Sequence, residues 1–302
     1  MKKDKKGKLT ECFLKLLEDE EEQVSISAIK QIVDLFSITG DDFFEFKENI
    51  YNRLKLAAEN QQFSVMNNVI SEQLGDLVKV ETKFSQEILD LIKIYLNSDQ
   101  EILVVNILSK SNLLLNKMGY QNFVAHFNEP LLKISDSSNW RFRLSALKTI
   151  SLLSEKLVFG NKNLKITTKK TETEFEQFIK TLEKLLEDET QKIREESCLM
   201  SWKLLKKFGF EWSSKNVLPF IRDLSDVQRY LHRMTPLFFL FQIEEKVDDR
   251  MNDFVIKIFK KLLNDRISNV KDFALRVVDK ISPFLNTEIA ALVFEESKSA
   301  RQ

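Results

Sequence analysis

The chain has 302 residues, 43% of them apolar, and its 46 basic residues balance 46 acidic ones. Because a neutral chain has no net field to draw it onto nucleic acid or an anionic membrane, we expect neither as a partner. Only four prolines and six glycines interrupt the sequence, which favours long helices.

The start of the chain, residues 1–8, is rich in lysine and lacks the apolar stretch of a secretory signal. We expect these residues to form a frayed basic tail. Cys12 and Cys198 each lie in an apolar helical context and are expected to be buried or inert thiols of a reduced protein. The most apolar run, residues 235–243, is far shorter than the roughly 20 residues that span a bilayer. We therefore expect a cytoplasmic location, extending to the nucleus.

A leucine-rich helical segment, an acidic or polar turn and a second helical segment recur along the chain. The turns lie at 17–19, 58–60, 96–99, 134–136, 186–188, 224–226 and 263–265. Their Asp or Asn positions are about 41 residues apart, within the roughly 40 to 47 residues of HEAT and armadillo repeats, whereas tetratricopeptide repeats have about 34. The spacing predicts an all-α fold, a HEAT-repeat α-solenoid of about seven stacked helix hairpins.

The predicted array covers residues 9–286, and residues 287–302 are predicted to be a C-terminal cap or tail. A segment at 161–172 breaks the spacing and predicts an inserted surface loop. The predicted repeats are 9–40, 43–80, 84–119, 123–160, 173–209, 213–247 and 250–285.

Small and polar residues are predicted to mark the ends of the helices. Asp, Asn or Ser in each turn is predicted to accept hydrogen bonds from the N–H groups that open the second helix. Glycine that follows the second helix is predicted to end it in a left-handed backbone conformation. The glycines at these places are Gly40, Gly75, Gly119, Gly160 and Gly209.

No arrangement of residues indicates catalysis or a bound cofactor. His126 and His232 lie far apart, and neither has the spacing of a metal ligand. The glycines are isolated, so no phosphate-binding loop or nucleophile elbow is formed. The acidic run at 18–22 lacks the alternating ligands of a calcium loop. We predict a protein that is not an enzyme and holds no cofactor or metal.

Two of the turns carry residue types that binding surfaces favour. In residues 136–144, helical periodicity assigns Phe142 to the core and leaves Trp140 and Arg141 in the turn. Tyr230 takes the corresponding place in the turn two repeats later. Truncation of Trp, Tyr or Arg at interfaces often costs roughly 2 kcal/mol or more of binding. Because equivalent turns of a solenoid line up on one side, we predict a protein-binding ridge of Trp140, Arg141, Lys192, Tyr230 and Asn269.

The sequences D-S-S-N-W-R-F-R-L at 136–144 and Y-L-H-R-M-T at 230–235 resemble those of a known family. It is the HEAT-repeat scaffold, or A, subunit of protein phosphatase 2A. Its pattern D-x-x-W-R-V-R-L is similar to the first segment, which has one additional turn residue, and its Y-L-H-R-M-T is reproduced in the second. Residues 193–195 and 207–212 resemble its I-R-E and K-F-G-x-E-W. The likeness is specific from about 139 to 285 and covers the later part of the family's longer array.

The resemblance implies a non-catalytic scaffold that binds and positions a phosphatase catalytic subunit through the turns inside its repeats. Trp140, Arg141 and Tyr230 match family positions that touch the catalytic subunit, and Asn269 keeps an asparagine in the next turn. Gln191, before Lys192, replaces an aromatic residue of the family. Most of the platform for a regulatory subunit has no counterpart here, so we expect that partner only as an addition.

Basic residues recur inside the second helices, at Arg143, Arg194 and Lys271. We predict that they pair with neighbouring acidic turns. A HEAT-type adaptor for another protein partner, such as nuclear-transport cargo, is the alternative function, because its repeats would look similar. An acidic or asparagine-lined concave helix face would favour that alternative. An orphan repeat protein that kept the fold and lost its partner is a third interpretation.

Overall fold

The computed structural model describes residues 3–39, 44–60, 64–81, 85–159 and 169–301. Within these ranges every regular element is a helix, so the prediction of an all-α fold is confirmed. The chain divides into an N-terminal unit, Met1–Leu153, and a C-terminal unit, Ser154–Gln302. The boundary between the two units lies inside one helix, Trp140–Phe159.

The N-terminal unit is a succession of helices of 8 to 20 residues. Two of the predicted second helices are broken after two turns, at Gln31 and at 109–110. The helices are α1 (Lys3–Leu17), α2 (Glu22–Lys30), α3 (Ile32–Thr39), α4 (Phe44–Glu59), α5 (Ser64–Val80), α6 (Gln86–Leu96), α7 (Glu101–Leu108), α8 (Ser111–Met118), α9 (Tyr120–Ser135) and α10 (Trp140–Phe159), whose residues from 154 onward belong to the next unit.

The C-terminal unit has longer helices near its start and short helices around residues 218–240. Its helices are α11 (Lys169–Leu186), α12 (Gln191–Asn216), α13 (Leu218–Asp223), α14 (Tyr230–Arg233), α15 (Thr235–Leu240), α16 (Asn252–Leu262), α17 (Ser268–Ile281) and α18 (Thr287–Arg301). Short 3₁₀ helices lie at Leu224–Asp226, Asp249–Met251 and Ser282–Phe284.

Several helices pack both against their hairpin partner or the preceding repeat and against the following repeat. In the N-terminal unit α5 contacts α4, α2 and α7, and in the C-terminal unit α15 contacts both α12 and α17. Leu74 of α5 and Phe239 of α15 are fully buried. Since burying one large apolar side chain contributes about 1.5–3 kcal/mol, stacking of neighbours is the main source of stability.

Polar side chains also join one repeat to the next. In the N-terminal unit Glu81 accepts hydrogen bonds from Lys47 (3.2 Å) and from the hydroxyl of Tyr51 (3.0 Å). Farther along, the hydroxyl of Ser137 donates to Glu101 at 2.7 Å. Each pair is separated by 30 to 36 residues, about one repeat. The polar bonds therefore follow the same nearest-neighbour order as the apolar core.

Glycine ends a helix at two of the five predicted places. Gly119 has φ 77° after α8, and Gly209 has φ 78° and interrupts α12, so both adopt the backbone conformation that glycine favours. Gly40 and Gly160 lie outside the described residues. For Gly75 the prediction was wrong, because this residue lies in the interior of α5. The side chain of Lys110 crosses it closely, and its Nζ lies 3.3 Å from Asp76.

Three further expectations differ from the structure. Helix α1 begins at Lys3, inside the expected basic tail, because lysine has a high helix propensity and adding residues to an existing helix costs little. Residues 169–172, expected to end the inserted loop, open α11, while residues 161–168 lie outside the described ranges. Cys198 is buried as expected, whereas Cys12 is exposed. Periodicity in α1 alone did not show that Cys12 lies on its exposed side.

Replacing Gly75 with alanine tests the close approach of Lys110. A Cβ atom at this position would overlap Cγ of Lys110 and lie 2.7 Å from its Cδ. Overpacking costs about 1–3 kcal/mol, which exceeds the about 1 kcal/mol that alanine gains in helix propensity. We therefore expect Gly75→Ala to lower the thermal unfolding midpoint measured by circular dichroism.

Gly7→Ala is the matched control, because Gly7 is also helical and nothing lies within 4 Å of its added Cβ. We expect this control to leave the midpoint unchanged or to raise it. A midpoint for Gly75→Ala equal to or above that of the unmodified protein would show that the close approach is not needed.

Candidate protein-binding surface

The turns inside the repeats share one local hydrogen bond. In five of them a side-chain oxygen accepts from the backbone N–H two residues later, at 2.8 to 3.1 Å. This bond satisfies one of the amide groups that would otherwise lack a partner at the start of the second helix. The predicted role of Asp and Ser is confirmed for the turns at 17–19, 96–99, 186–188 and 263–265, and Ser137 lies one residue after the predicted turn at 134–136. The acceptors are Asp19, Ser98, Ser137, Asp188 and Asp265.

An arginine of the second helix holds two of these turns, and a third turn at 227–228, by hydrogen bonds to their carbonyl groups; we call this arrangement a clamp. Nη1 of Arg143 donates to the carbonyl oxygens of Ser137 (2.8 Å) and Ser138 (3.1 Å). Nη1 of Arg194 donates in the same way to Asp188 (2.6 Å) and Glu189 (3.0 Å). Arginine carries several fixed N–H donors, so a single side chain holds two successive carbonyl groups. The sequence analysis predicted that these arginines pair with neighbouring acidic turns. It did not predict their hydrogen bonds to backbone carbonyl groups, which lie within one repeat.

Arg233 forms the third clamp and also reaches the next repeat. Its Nη1 donates to the carbonyl oxygens of Val227 (3.1 Å) and Gln228 (2.6 Å). Its Nε and Nη2 donate to the carboxylate of Asp265 at 2.6 and 2.8 Å. The two side chains are only 8% and 5% exposed, so water screens this pair poorly. Arg233 therefore fixes two adjacent turns of the C-terminal unit relative to each other.

Ionisation of the clamp residues is set by burial and by these bonds. Burial lowers the pKa of Arg194, and the nearby Asp188 opposes this effect; the guanidinium remains charged at neutral pH. Burial also opposes ionisation of Asp265, but hydrogen bonds from Arg233 and from the N–H of Ile267 hold its pKa below the ordinary value. Burial lowers the pKa of His232, and the charges of Arg194 and Arg229 lower it further.

The predicted ridge residues occupy the first turn of a second helix, and not the interhelical turn in which the sequence analysis placed them. In the N-terminal unit Trp140 and Arg141 are the first two residues of α10. The side chain of Trp140 is half-buried, Arg141 is exposed, and its guanidinium lies 4.6 Å from the centre of the indole ring. Because the cation already stacks on the ring, the pair presents an ordered surface to solvent.

The other three predicted residues belong to the C-terminal unit. Tyr230 is the first residue of α14 and is 37% exposed, and its hydroxyl has no hydrogen-bond partner in the described part of the chain. Asn269 is the exposed second residue of α17. Lys192, the exposed second residue of α12, is paired with Glu196 at 2.8 Å. These three residues therefore lie in the first turn of the second helix in successive repeats. No measured contact tests the ridge, so it stays a prediction.

The sequence analysis missed a groove that begins beside Lys192. It lies between α12 and α17 of the C-terminal unit, with α15 at its base, and has a volume of about 480 Å³. The sequence signal for it is the run F-F-L-F at 238–241. All four residues are apolar, so helical periodicity cannot show that the last of them, Phe241, is exposed. We call it the α12–α17 groove; its lining includes Glu195, Leu199, Met234, Phe238, Phe241, Phe273 and Arg276.

Comparison with known proteins identifies the fold and no closer relationship. No family model and no curated protein matches the sequence. A crystal structure of importin beta matches with a TM-score of 0.68 and 12% identity over 95% of this chain and 37% of that chain. Cex1p matches with a TM-score of 0.59 and 14% identity over 97% of this chain and 54% of that chain.

The chain has a HEAT-repeat α-solenoid fold. It covers about a third to a half of the length of these two structures, and identities this low show the fold alone. The fold is compatible with a protein-binding adaptor.

Other kinds of site find little support in the described ranges. None of the helices there is both long and apolar enough to cross a membrane. The same described residues contain no group of three His, Cys, Asp or Glu side chains arranged to hold a metal ion.

Removing the Arg194 clamp tests its contribution to stability. Arg194→Met leaves two turn carbonyls without their charged donor, and charge-assisted hydrogen bonds contribute about 1.5–3 kcal/mol each. Because the substitution also removes a buried cation, we expect a net loss of about 2 kcal/mol in the free energy of unfolding, measured by urea titration.

Arg229→Met is the matched control, because Arg229 pairs with Glu189 of the same turn but is exposed. Exposed ion pairs contribute little to stability, so we expect its unfolding curve to match that of the unmodified protein. Equal effects of the two substitutions would refute the clamp.

The Arg233–Asp265 pair predicts a pH-dependent stability. The pKa of Asp265 is lowered in the folded state from an unfolded value of about 3.9. Its contribution is therefore complete above about pH 4 and is lost as the pH falls through the lower folded-state pKa. We expect Asp265→Asn to be less stable at pH 6 and to lose less stability than the unmodified protein between pH 6 and pH 3. Thermal unfolding of Asp272→Asn, at an exposed aspartate, is the control; identical pH profiles for all three proteins would contradict the assignment.

Proposed function

We propose that this chain is a non-catalytic scaffold that binds and positions a protein phosphatase 2A type serine/threonine phosphatase catalytic subunit. The first turns of its second helices form the contact, through Trp140, Arg141, Tyr230 and Asn269, with Lys192 at the edge. A regulatory subunit is proposed only as an additional partner. The proposed location is the cytoplasm, extending to the nucleus.

The observation that carries this proposal is that the motif Y-L-H-R-M-T at 230–235 contains residues that the fold requires and one that it does not. Arg233 clamps the turn and pairs with Asp265. Thr235 is fully buried, and its hydroxyl donates to the carbonyl of Leu186 at 3.3 Å. Tyr230, in contrast, is exposed and its hydroxyl has no partner in residues 169–301. The fold explains the arginine and the threonine, and a binding partner explains the tyrosine.

The segment at 136–144 likewise contains residues that hold the turn and residues that are open to solvent. Ser137 accepts the N–H of Asn139 and donates to Glu101, and Arg143 clamps the turn carbonyls. Trp140 and Arg141 stack on each other at the surface. A stacked Trp and Arg pair loses little conformational freedom when a partner covers it, which is typical of residues that dominate binding energy.

A HEAT-type adaptor for another protein, such as nuclear-transport cargo, is the second candidate. The likeness in fold to importin beta supports it. In this alternative the second-helix faces, rather than the first turns, bind the partner. The two candidates therefore differ in which residues are needed.

Truncation of the exposed aromatics tests the scaffold proposal. We expect Trp140→Ala and Tyr230→Ala each to weaken binding of a purified phosphatase 2A type catalytic subunit about 30-fold, since such residues contribute about 2 kcal/mol. The measurement is isothermal titration of the full chain with the catalytic subunit, with helicity checked by circular dichroism.

Phe294→Ala is the matched control. Phe294 is 45% exposed and carries Lys298 above its ring at 4.9 Å, so it resembles the Trp140 and Arg141 pair without lying in a turn. We expect the Phe294→Ala variant to bind the catalytic subunit with the same affinity as the unmodified protein. Unmodified protein that does not bind the catalytic subunit, or equal affinity for all variants, would reject the proposal. Affinity capture from the protein's own cells that recovers transport factors without phosphatase would favour the alternative.

A further inference from the structure

The α12–α17 groove arises because one second helix is short. Helix α15 has six residues, all buried, and ends at Leu240. The second helices on either side are longer, since α12 runs from Gln191 to its interruption at Gly209 and α17 from Ser268 to Ile281. The short helix therefore forms a recessed base, and the two longer helices form the walls.

The base and one wall of the groove are aromatic. The rings of Phe238 and Phe273 lie 5.2 Å apart, and those of Phe241 and Phe273 lie 5.9 Å apart. Phe238 is almost fully buried, whereas Phe241 is 37% exposed. Aromatic groups open to solvent in a concavity of this size, within the roughly 300–1,000 Å³ of ligand sites, provide a receptor for an apolar side chain.

The charges on the two walls are not equivalent. On α12 the carboxylate of Glu196 is paired with Lys192 at 2.8 Å, and that of Glu195 accepts from Gln191 at 2.7 Å. On α17 the guanidinium of Arg276 lies 5.2 Å from the ring of Phe273 and has no carboxylate partner in the described ranges.

Lys280 extends the cationic wall along α17. Its ammonium lies 3.9 Å from the centre of the Phe241 ring and donates to the carbonyl of Phe241. On the acidic wall Glu196 is therefore neutralised within α12 and Glu195 keeps its charge, while the basic wall keeps N–H donors that are available to an anion.

We propose that the α12–α17 groove binds a short linear segment of another protein that has an apolar side chain, leucine or an aromatic residue, next to one or more carboxylates. The apolar side chain lies on Phe238, Phe241 and Phe273. The carboxylate accepts from Arg276, which stacking on Phe273 holds in place. This site is separate from the exposed aromatics of the first turns, and it does not depend on the proposed phosphatase partner.

The charges favour an acidic peptide over nucleic acid or an anionic lipid surface. Glu195 lines the opposite wall and keeps its charge, so it would repel an extended polyanion. A single carboxylate beside Arg276 avoids that wall while its apolar neighbour enters the groove.

Selection from a random peptide library tests the chemistry of the occupant. A phage-displayed library of dodecapeptides is selected on the full chain and, in parallel, on Phe241→Ala. We expect the unmodified protein to enrich peptides in which Asp or Glu lies within two residues of Leu, Phe or Trp, and the variant to lose this enrichment. Enrichment of basic peptides, equal enrichment on both proteins, or none would overturn the proposal.

Charge reversal tests the role of Arg276. The most enriched peptide is labelled with fluorescein, and its affinity is measured by anisotropy, together with that of a copy in which every acidic residue is lysine. We expect Arg276→Glu to bind the acidic peptide at least tenfold more weakly and the lysine copy more tightly than the unmodified protein does.

Lys260→Glu, at an exposed lysine of α16 outside the groove, is the control for charge alone and is expected to leave both affinities unchanged. Equal weakening by Arg276→Glu and Lys260→Glu would overturn the assignment of Arg276. Retention of phosphatase binding by Arg276→Glu and Phe241→Ala would show that the groove and the first-turn residues act separately.

Discussion

The apolar faces of each helix hairpin exceed what the hairpin can bury by itself, and this constraint organises the protein. Helices α5 and α15 each contact helices of the repeats before and after them, so their large side chains reach full burial only in a stack. The polar bonds from Glu81 to Lys47 and Tyr51 follow the same neighbour order. Stability is thus distributed over contacts between adjacent repeats within each unit.

The carbonyl groups of the interhelical turns require hydrogen-bond donors in the stacked array, and arginine side chains supply them. Arg143, Arg194 and Arg233 each hold two successive turn carbonyls. A turn held from behind leaves the next residues of the second helix pointing away from the core with a fixed backbone. A rigid scaffold of this kind is what allows exposed side chains to bind a partner with little loss of conformational freedom.

Irregularity in the repeats adds a second kind of surface. The short helix α15 is recessed between α12 and α17, and the recess exposes aromatic rings that a full-length helix would cover. Gly75 shows the opposite case, because it lies where a neighbouring side chain passes unusually close to α5. Both features arise where a repeat departs from the average: the short helix α15 opens a groove, and Gly75 allows a close contact with Lys110.

The sequence by itself determined the helical class, the HEAT-type fold and the polar residues that open the second helices, because these follow from local periodicity and from hydrogen bonds that span two residues. It placed Trp140 and Tyr230 in the turns between paired helices, whereas both are the first residue of the helix that follows. Only the tertiary structure decided that Gly75 accommodates Lys110, that Arg194 and Arg233 clamp turns, and that Phe241 lies in a groove. The contact of Lys110 with Gly75 and the groove around Phe241 depend on helices of different repeats. The clamps join side chains to carbonyl groups five or six residues earlier, and their geometry depends on the folded turn.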